Sequence, residues 1–309
     1  MIEEHPSPLD KLRSIQAHAE QETTDAILSA REGFAFTVPQ EVREISDTVN
    51  VTAGEGKSEK VPLIDILKTS FEAVQRAWDE AIVPRMQEIR RSSVVDDKAG
   101  TDFATAADKA SEQTIKQIIQ ERLDELVKVF GEETKEYEEN AQSNISVEID
   151  PIDGTETFKF GTGDGWAILI GVYRDLDDGN REQKASVAYF PEKQKLMYYI
   201  KDHGVFISDL HEHVTHKAAA VEVQDDLKNK MMIRMWKHTD KKRRSGVQRI
   251  EEDLKSLGAH FRLTNSAAED ALEAIETGGQ RILIYDGDMM RVDYIPHAAL
   301  IALGYKMYI

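Results

Sequence analysis

Hydrophobic side chains recur at every third or fourth position in two stretches of the first half of the chain. The first stretch begins after Pro62 and carries Leu63, Leu67, Phe71, Val74, Trp78 and Ile82. This spacing places them on one face of a helix, which Pro84 should kink or interrupt. The second stretch predicts a helix from about Ala107 to Val129, with Ile115, Ile118, Ile119 and Leu126 on one side. Both helices are expected to pack against a core.

The hydrophobic period changes to two after residue 140. Ile145, Val147 and Ile149 alternate with polar residues, a pattern typical of a β-strand. Further apolar runs predict strands at 167–173, 186–190, 196–200, 231–236 and 281–285, and helical spacing predicts helices at 246–257, 267–277 and 296–303. This order predicts an α+β or α/β fold in which sheets are layered with helices.

The N-terminal part of the chain has a different composition. A polar, charged helix is predicted over about 9–31, followed by a short strand over 34–38. Residues 50–61 are rich in glycine and charge and lack periodicity, which indicates a linker. We therefore predict an N-terminal helical arm and linker, 1–61, and a domain, 62–309, with halves of about 62–205 and 206–309.

The charge balance narrows the classes of function. The chain has 309 residues, with 39 Lys and Arg against 57 Asp and Glu, and a formal net charge of −18. Such a charge disfavours general binding of nucleic acids or anionic membranes and suits a binder of hard cations. The absence of cysteine excludes disulfides, thiolate zinc sites, iron–sulfur clusters and cysteine nucleophiles. Without a secretory signal or an apolar run of about 18 residues, we expect a cytoplasmic protein.

The segment from Ile149 to Thr155 carries the strongest chemical signal. It places Asp150 at the end of a predicted strand and Asp153 three positions later, with Gly154 and Thr155 after it. Carboxylates and a backbone carbonyl, that of Ile152, are hard oxygen ligands of the kind that Mg²⁺ prefers. Gly154 would let a ligand approach the backbone, whose next N–H groups could hold a phosphate. The structural alternative is an aspartate-rich turn with a capping threonine.

A further carboxylate pair precedes this segment. Glu132 and Glu133 follow Gly131 and an apolar run, 126–130, so a third carboxylate could reach the same site from a neighbouring element. A glutamate pair on its own is more often part of a solvated surface.

Together, Gly131-Glu132-Glu133 and Asp150-Pro-Ile-Asp-Gly-Thr155 resemble the motifs of the inositol monophosphatase family. That family belongs to a wider group of Mg²⁺-dependent, lithium-sensitive phosphatases, with fructose-1,6-bisphosphatases and 3′-phosphoadenosine-5′-phosphate phosphatases. The match extends over roughly 63–309 and includes Lys98, Thr101–Asp108, Glu112, Trp166–Gly171, Ala188–Pro191, Gly204, Asn265–Ala268, Gly278 and Asp293. The resemblance implies a layered α-β-α-β-α sandwich of the inositol monophosphatase and fructose-1,6-bisphosphatase type.

The resemblance also implies a set of metal ligands. Glu132, Asp150 and the carbonyl of Ile152 would hold one Mg²⁺, and Asp150, Asp153 and Asp293 would hold a second. A third, weaker ion would lie near Glu132, giving roughly two or three Mg²⁺ ions per site, and lithium should inhibit. Asp286 and Asp288 compete with Asp293 for its role.

Catalytic and substrate-binding roles follow from the same resemblance. Thr155, paired with Asp108, and Glu132 would orient the attacking water, while Gly154, Thr155, Ser266 and Asp286 would bind the substrate. Three positions depart from the usual family pattern: Asn265 stands where glycine is usual, Asp286 where glutamate is usual, and Val292 where tryptophan is usual. These departures affect the substrate pocket more than the metal site.

The predicted function is therefore a Mg²⁺-dependent phosphomonoesterase acting on a small soluble phosphate ester such as inositol monophosphate. A 3′(2′),5′-bisphosphate nucleotidase or a sugar bisphosphatase is the alternative within the enzymes. A catalytically weak family member that acts as a binding or regulatory protein is the alternative outside them. We expect a small phosphorylated metabolite as partner, no nucleic acid and no membrane, and we leave the choice between a monomer and a homodimer open.

Overall fold

The structure, a computed structural model, describes residues 40–53, 57–86, 88–89, 97–123, 126–134, 143–161, 165–221, 232–236, 260–264, 266–278, 281–284 and 291–305. Only the backbone is described at 40–41, 52–53, 57–58, 97–105, 232–236, 260–264, 281–284, 291 and 293. All of these residues belong to one compact unit, Pro39–Ile309. The elements predicted at 9–31, 34–38 and 246–257 lie outside the described residues, and the arm 1–61 stays a prediction.

A sheet of seven strands forms the centre of the described part. Its strands are β3 (Lys128–Gly131), β4 (Ile145–Asp153), β5 (Ala167–Asp175), β6 (Arg181–Phe190), β7 (Lys195–Ile200), β8 (Gly204–Asp209) and β9 (Val214–Lys217). They lie side by side in chain order, with β3 parallel to β4 and every later pair antiparallel. Because β3 and β4 are parallel, their carboxyl ends lie at the same edge of the sheet.

Helices cover one face of this sheet. They are α2 (Leu63–Arg76) and α3 (Asp97–Leu123), which follow the short helix α1 (Gln40–Arg43). The apolar face predicted from the sequence packs inward, and the ring of Phe71 in α2 meets that of Tyr198 in β7 edge to face at 5.3 Å between centroids. All nine residues of β4 are buried, so this strand is covered on both sides.

The opposite face of the sheet carries the C-terminal helices. They are α5 (Ala267–Thr277) and α6 (His297–Ala302), with a 3₁₀ turn, Arg291–Tyr294, before α6. Alternate residues of the strands, among them Leu169, Phe190 and Met197, form one core with the apolar sides of these helices. The short helix α4 (Thr155–Phe160) follows β4 directly.

A second, three-stranded sheet is parallel throughout. Its strands are β10 (Met232–Trp236), β11 (His260–Thr264) and β12 (Arg281–Ile284), in the order β11-β10-β12. Two of them lie where the sequence predicts strands, at 231–236 and 281–285. The predicted fold class, sheets layered with helices, is confirmed.

No helix among the described residues combines the length and the apolar character needed to cross a bilayer.

The segment predicted as a linker is instead an antiparallel hairpin. Strands β1 (Thr48–Ala53) and β2 (Lys57–Pro62) pair along their whole length, in register from Thr48 with Pro62 to Ala53 with Lys57. Val49, Val51 and Val61 are buried. Asn50, Glu59 and Lys60 are exposed. Val49 and Val51 therefore alternate with a polar residue, and the composition of the segment hid this period-two pattern.

The second predicted helix has different bounds in the structure. It begins at Asp97, ahead of the predicted start at Ala107, and ends at Leu123 instead of Val129. Residues 128–131 form β3, with Val129 buried and Lys128 half-buried. Alternation therefore replaces helical spacing here.

The helix that begins at Leu63 changes form before Pro84. Residues Ala77–Ile82 are π-helical, and the chain returns to α-helix at Val83. Proline lacks the N–H that would continue the ladder, and its ring crowds the carbonyl four residues earlier, which lies within this π-helical segment. The irregularity expected from Pro84 thus lies in the turn that precedes it.

Candidate metal and phosphate site

The candidate site is built on the carboxyl end of β4. Asp150 is 3% exposed and Asp153 is also 3% exposed. The pairing of β4 with β5 shifts register between these two residues, so the strand continues past Pro151 with an irregularity at the point where a stop was expected. Asp150 Oδ1 accepts a hydrogen bond from the N–H of Ile152 at 3.1 Å, which orients its carboxylate. Both aspartates are thus fixed at one sheet edge.

A tight turn at Gly154 follows the strand. Gly154 has φ = 91°, a left-handed conformation that favours glycine. A Cβ there would lie 2.9 Å from the carbonyl oxygen of Gly165 and 3.1 Å from Cβ of Ser266, so the turn also has no room for a side chain. Thr155 begins α4 and is exposed, as a substrate contact requires. Its hydroxyl donates to the Ile152 carbonyl at 3.0 Å, which differs from the pairing with Asp108 that the resemblance implied.

Asp153 is bonded to the start of α5, from the second half of the chain. Its Oδ2 accepts from the Ser266 hydroxyl at 2.7 Å and from the N–H of Ala268 at 2.8 Å, and Oδ1 accepts from the N–H of Ala267 at 3.2 Å. Ser266 caps the helix, since its Oγ also accepts from the N–H of Glu269 at 3.0 Å. A carboxylate at a helix N-terminus is favoured by the free N–H groups and the helix dipole. Asp153 therefore joins the two halves of the chain at the site.

Glu132 reaches the same edge from β3. Gly131 pairs with Ile149 in the parallel ladder, and the N–H of Glu132 donates to the Ile149 carbonyl at 3.0 Å. The next residue along β4 is Asp150, whose carboxyl group is buried and lies close enough to Glu132 for the charge of Glu132 to raise the pKa of Asp150 further. The structure thus brings Glu132 and Asp150 together, as the sequence motifs predict.

Burial and the nearness of other carboxyl groups raise the pKa values of two carboxyl groups of the site. Burial raises the pKa of Asp150 well above its ordinary value of 3.8, and the charges of Glu132, Asp153 and Asp108 raise it further. Asp108, in α3, behaves in the same way: burial comes first, followed by the charges of Glu133, Glu132 and Glu112, and its pKa is likewise well above 3.8. In the described part of the chain, Asp150 has no ion pair with a basic side chain. The negative charge of the site calls for a counter-charge from outside.

The donor chemistry of the site fits Mg²⁺. No three or more histidine, aspartate or glutamate side chains within the described ranges are already arranged to hold a metal ion. The neighbouring groups are nevertheless carboxylates and a carbonyl, and hard oxygen donors of this kind suit Mg²⁺. The charges of Glu132, Asp153 and Asp108 act on Asp150, and a divalent cation would relieve this repulsion. The oxygen donors of the site and their uncompensated negative charge are therefore suited to Mg²⁺.

Several predicted site residues lie outside the described residues. They are Asp286, Asp288, Asn265 and the side chain of Asp293. The backbone of Asp293 belongs to the 3₁₀ turn Arg291–Tyr294, which packs beside β4. The roles of these residues stay predictions.

Sequence patterns missed two connections in this site. The bond between Asp153 and Ser266 joins positions 113 apart in the chain, and periodicity carries no information at that range. The contact of Glu112 with the turn after β3 was also missed, although Asp108, Glu112 and Lys116 follow one another at four-residue spacing on one side of a helix. That spacing was the available signal for the second connection.

Comparison with known proteins identifies the family. A model of the inositol monophosphatase family matches residues 65–286. No curated protein matches the sequence. Solved structures do: SuhB of Mycobacterium tuberculosis has a TM-score of 0.56 at 17% identity, over 77% of this chain and 82% of that chain.

Two further structures are similar to this chain to the same degree. Inositol monophosphatase II of Staphylococcus aureus has a TM-score of 0.56 at 17% identity, over 77% of this chain and 79% of its own. CysQ of Bacteroides thetaiotaomicron, described as a bacterial member of the inositol monophosphatase family, has the same TM-score and identity over 77% and 86%. At this identity the structures show the shared fold, and the family model covers most of the chain. The chain belongs to the inositol monophosphatase family.

Proposed function

We propose that this chain is a Mg²⁺-dependent phosphomonoesterase that hydrolyses a small phosphate ester such as inositol monophosphate. The observation that carries the proposal is the state of Asp150: a carboxyl group 3% exposed that faces other carboxyl groups and has no basic partner in the described part of the chain. A fold alone can hold such a group only at a cost in stability. Its presence at a sheet edge beside Glu132 and Asp153 supports a functional use.

In this proposal the oxygens of Glu132, Asp150, Ile152, Asp153 and Asp293 would hold the metal ions. Bound Mg²⁺ would neutralise charge on the attacking and leaving oxygens and make water a better nucleophile at neutral pH. The protein's own part is to fix these donors, which α5 does for Asp153 and the β3–β4 ladder does for Glu132. Phosphoryl transfer depends chiefly on such positioning.

Thr155, Glu132 and Asp108 would orient the attacking water. The Thr155 hydroxyl gives its hydrogen to the Ile152 carbonyl, so its lone pairs remain available to accept a hydrogen bond from water. A neutral threonine hydroxyl is a poor base, and its role is orientation. The carboxylates of Glu132 and Asp108 supply acceptors for the proton.

Substrate contacts would come from the turn and from the second half of the chain. Gly154 and Thr155 line the turn, and Asp286 would face the alcohol side of the ester. Ser266 contributes indirectly, because its hydroxyl is engaged by Asp153 and by the N–H of Glu269. We therefore expect Ser266 to set the position of α5 and Asp153 rather than to bind the leaving group.

Phosphate release from a panel of substrates tests the proposal. The panel contains inositol monophosphates, sugar bisphosphates and 3′-phosphonucleotides, each assayed with Mg²⁺, with chelator, and with Mg²⁺ plus lithium. We expect Mg²⁺-dependent, lithium-sensitive release that is fastest for inositol monophosphate. Faster release from a bisphosphate would favour the nucleotidase or sugar bisphosphatase. Metal or phosphate binding without release from any ester would favour a binding or regulatory protein.

A further inference from the structure

The helix α3 supports the candidate site from behind, through one row of polar side chains. Asp108, Ser111 and Glu112 are all buried on it. Ser111 Oγ donates to the Pro151 carbonyl at 3.4 Å, which connects the helix to β4. One turn further along the helix is Lys116, whose side chain is 14% exposed. This row has contacts with both strands that carry the candidate ligands.

The carboxylate of Glu112 lies directly against the turn that follows β3. Its Oε2 accepts the N–H of Glu133 at 2.8 Å. A Cβ placed on Gly131 would lie 2.0 Å from Cδ of Glu112, so the carboxyl group fills the space that a side chain at position 131 would need. The turn thus rests on this carboxyl group at two of its residues, one on each side of Glu132.

Lys116 completes this support. Its Nζ lies 3.1 Å from Glu112 Oε1, and it also donates to Thr134 Oγ1 at 2.7 Å. Lys116 thus forms an ion pair with the buried carboxylate of Glu112. Its charge balances Glu112, and its second bond holds the last residue of the turn. A glutamate four residues before a lysine is the favourable order on a helix.

We propose that Lys116 is a positioning residue for metal binding: through Glu112 and Thr134 it fixes the 131–134 turn and so directs Glu132 toward Asp150. This inference rests on the proposed function, because it concerns the same metal ligands. Groups behind metal ligands typically change metal affinity by about 10–100-fold when they are removed. Lys116→Gln should therefore weaken Mg²⁺ binding by roughly tenfold. Turnover at saturating Mg²⁺ should change little, because Glu132 can still be drawn into place.

Calorimetric titration of Mg²⁺ into the metal-stripped full chain tests this inference. Arg122→Gln is the matched control, because it removes one charge and one ion pair, with Glu72, from the exposed side of the same helix. We expect wild type, Arg122→Gln and Lys116→Arg to bind alike, and Lys116→Gln to bind roughly tenfold more weakly. Thr134→Val, at an exposed position, provides a milder variant with an effect in the same direction.

The outcomes separate the two proposals. If wild type binds Mg²⁺ and both Lys116→Gln and Thr134→Val bind it equally well, the inference about Lys116 is wrong and the proposed function stands. A drop in melting temperature with unchanged Mg²⁺ affinity would likewise reduce Lys116 to a structural role. If wild type itself binds no Mg²⁺ and releases no phosphate, the proposed function fails first. Should Lys116→Gln not fold, Thr134→Val decides: weaker Mg²⁺ binding than wild type supports the inference, and equal binding overturns it.

Discussion

Glu148 and Asp150 are two residues apart on the same face of β4, but the first is paired with a basic side chain and the second is surrounded by other carboxyl groups. Both are buried, at 1% and 3% exposure. Glu148 receives a hydrogen bond from Arg181 Nη1 at 2.7 Å. Arg181 in turn bonds the Ser146 hydroxyl at 2.6 Å and stacks on the Tyr173 ring at 4.5 Å from its centroid. The charge of Glu148 is balanced inside the fold.

Asp150 has no such partner among the described residues. Its neighbours are Glu132, Asp153 and Asp108, and burial with these charges raises its pKa. A buried charge that is paired serves the fold, whereas a buried charge surrounded by like charges costs stability unless something binds there. The strand β4 thus carries a structural ion pair at Glu148 and, two residues later at Asp150, a site suited to an external cation.

The largest expected effect is a difference in activity between variants of the two carboxylates. Asp150→Asn removes a charge that the proposed metal ions need, a loss of several kcal/mol in transition-state stabilisation, or roughly 10³-fold or more in turnover. Glu148→Gln makes the same chemical change two residues away and should keep the activity of the folded enzyme. Phosphate release at saturating Mg²⁺ measures both. Full activity in Asp150→Asn, or in wild type with excess chelator, would refute the site.

A second variant separates orientation from metal binding. Thr155→Ala should lower kcat by roughly 10²–10⁴, the usual range for a group that helps to transfer a proton, with Mg²⁺ affinity nearly unchanged. Thr155→Ser keeps the hydroxyl and should retain most of the activity. Steady-state kinetics over a range of Mg²⁺ concentrations distinguish the two effects. A loss of Mg²⁺ affinity with kcat kept at saturating metal would show that Thr155 is a ligand.

The structural ion pair should be visible in stability. Arg181→Gln leaves Glu148 buried without its cation and should cost about 3 kcal/mol. Arg122→Gln breaks an exposed pair, and its expected cost is below about 1 kcal/mol. Urea unfolding of both variants measures the difference. Equal midpoints for the two would mean that the Glu148 pair contributes no more than a surface contact.

The smallest effect concerns pH and the metal-free state. Because Asp108 and Asp150 have raised pKa values when folded, their contribution to stability is present below the ordinary value of 3.8 and is lost as pH rises through the folded-state value. In chelator at neutral pH, Asp150→Asn should therefore melt about 2–4 °C above wild type, or about 1 kcal/mol. The gap should narrow toward acid pH and reverse with Mg²⁺. Calorimetric scans check this, and a gap that is independent of pH would contradict it.

Local patterns predicted the parts of this molecule that local forces determine. Alternation at Ile145, Val147 and Ile149 located β4, and the predicted helix at 267–277 begins with a serine cap and a glutamate three residues later. The hairpin of β1 and β2 was missed because residues 50–61 are rich in glycine and charge. In the site, Asp150 and Asp153 could be predicted to lie together because they belong to one short motif. The bond from Asp153 to Ser266 could not, because it depends on packing between distant segments.

Calorimetric titration of Mg²⁺ into metal-stripped wild type, Glu148→Gln and Asp150→Asn tests the contrast between the two carboxylates most directly. The account predicts saturable binding to wild type and to Glu148→Gln, and binding to Asp150→Asn that is weaker by at least roughly tenfold. Glu148→Gln is measured well below its melting temperature, so that only folded protein is compared. Binding to Asp150→Asn as tight as to wild type would contradict the claim that Asp150 is prepared for an external cation.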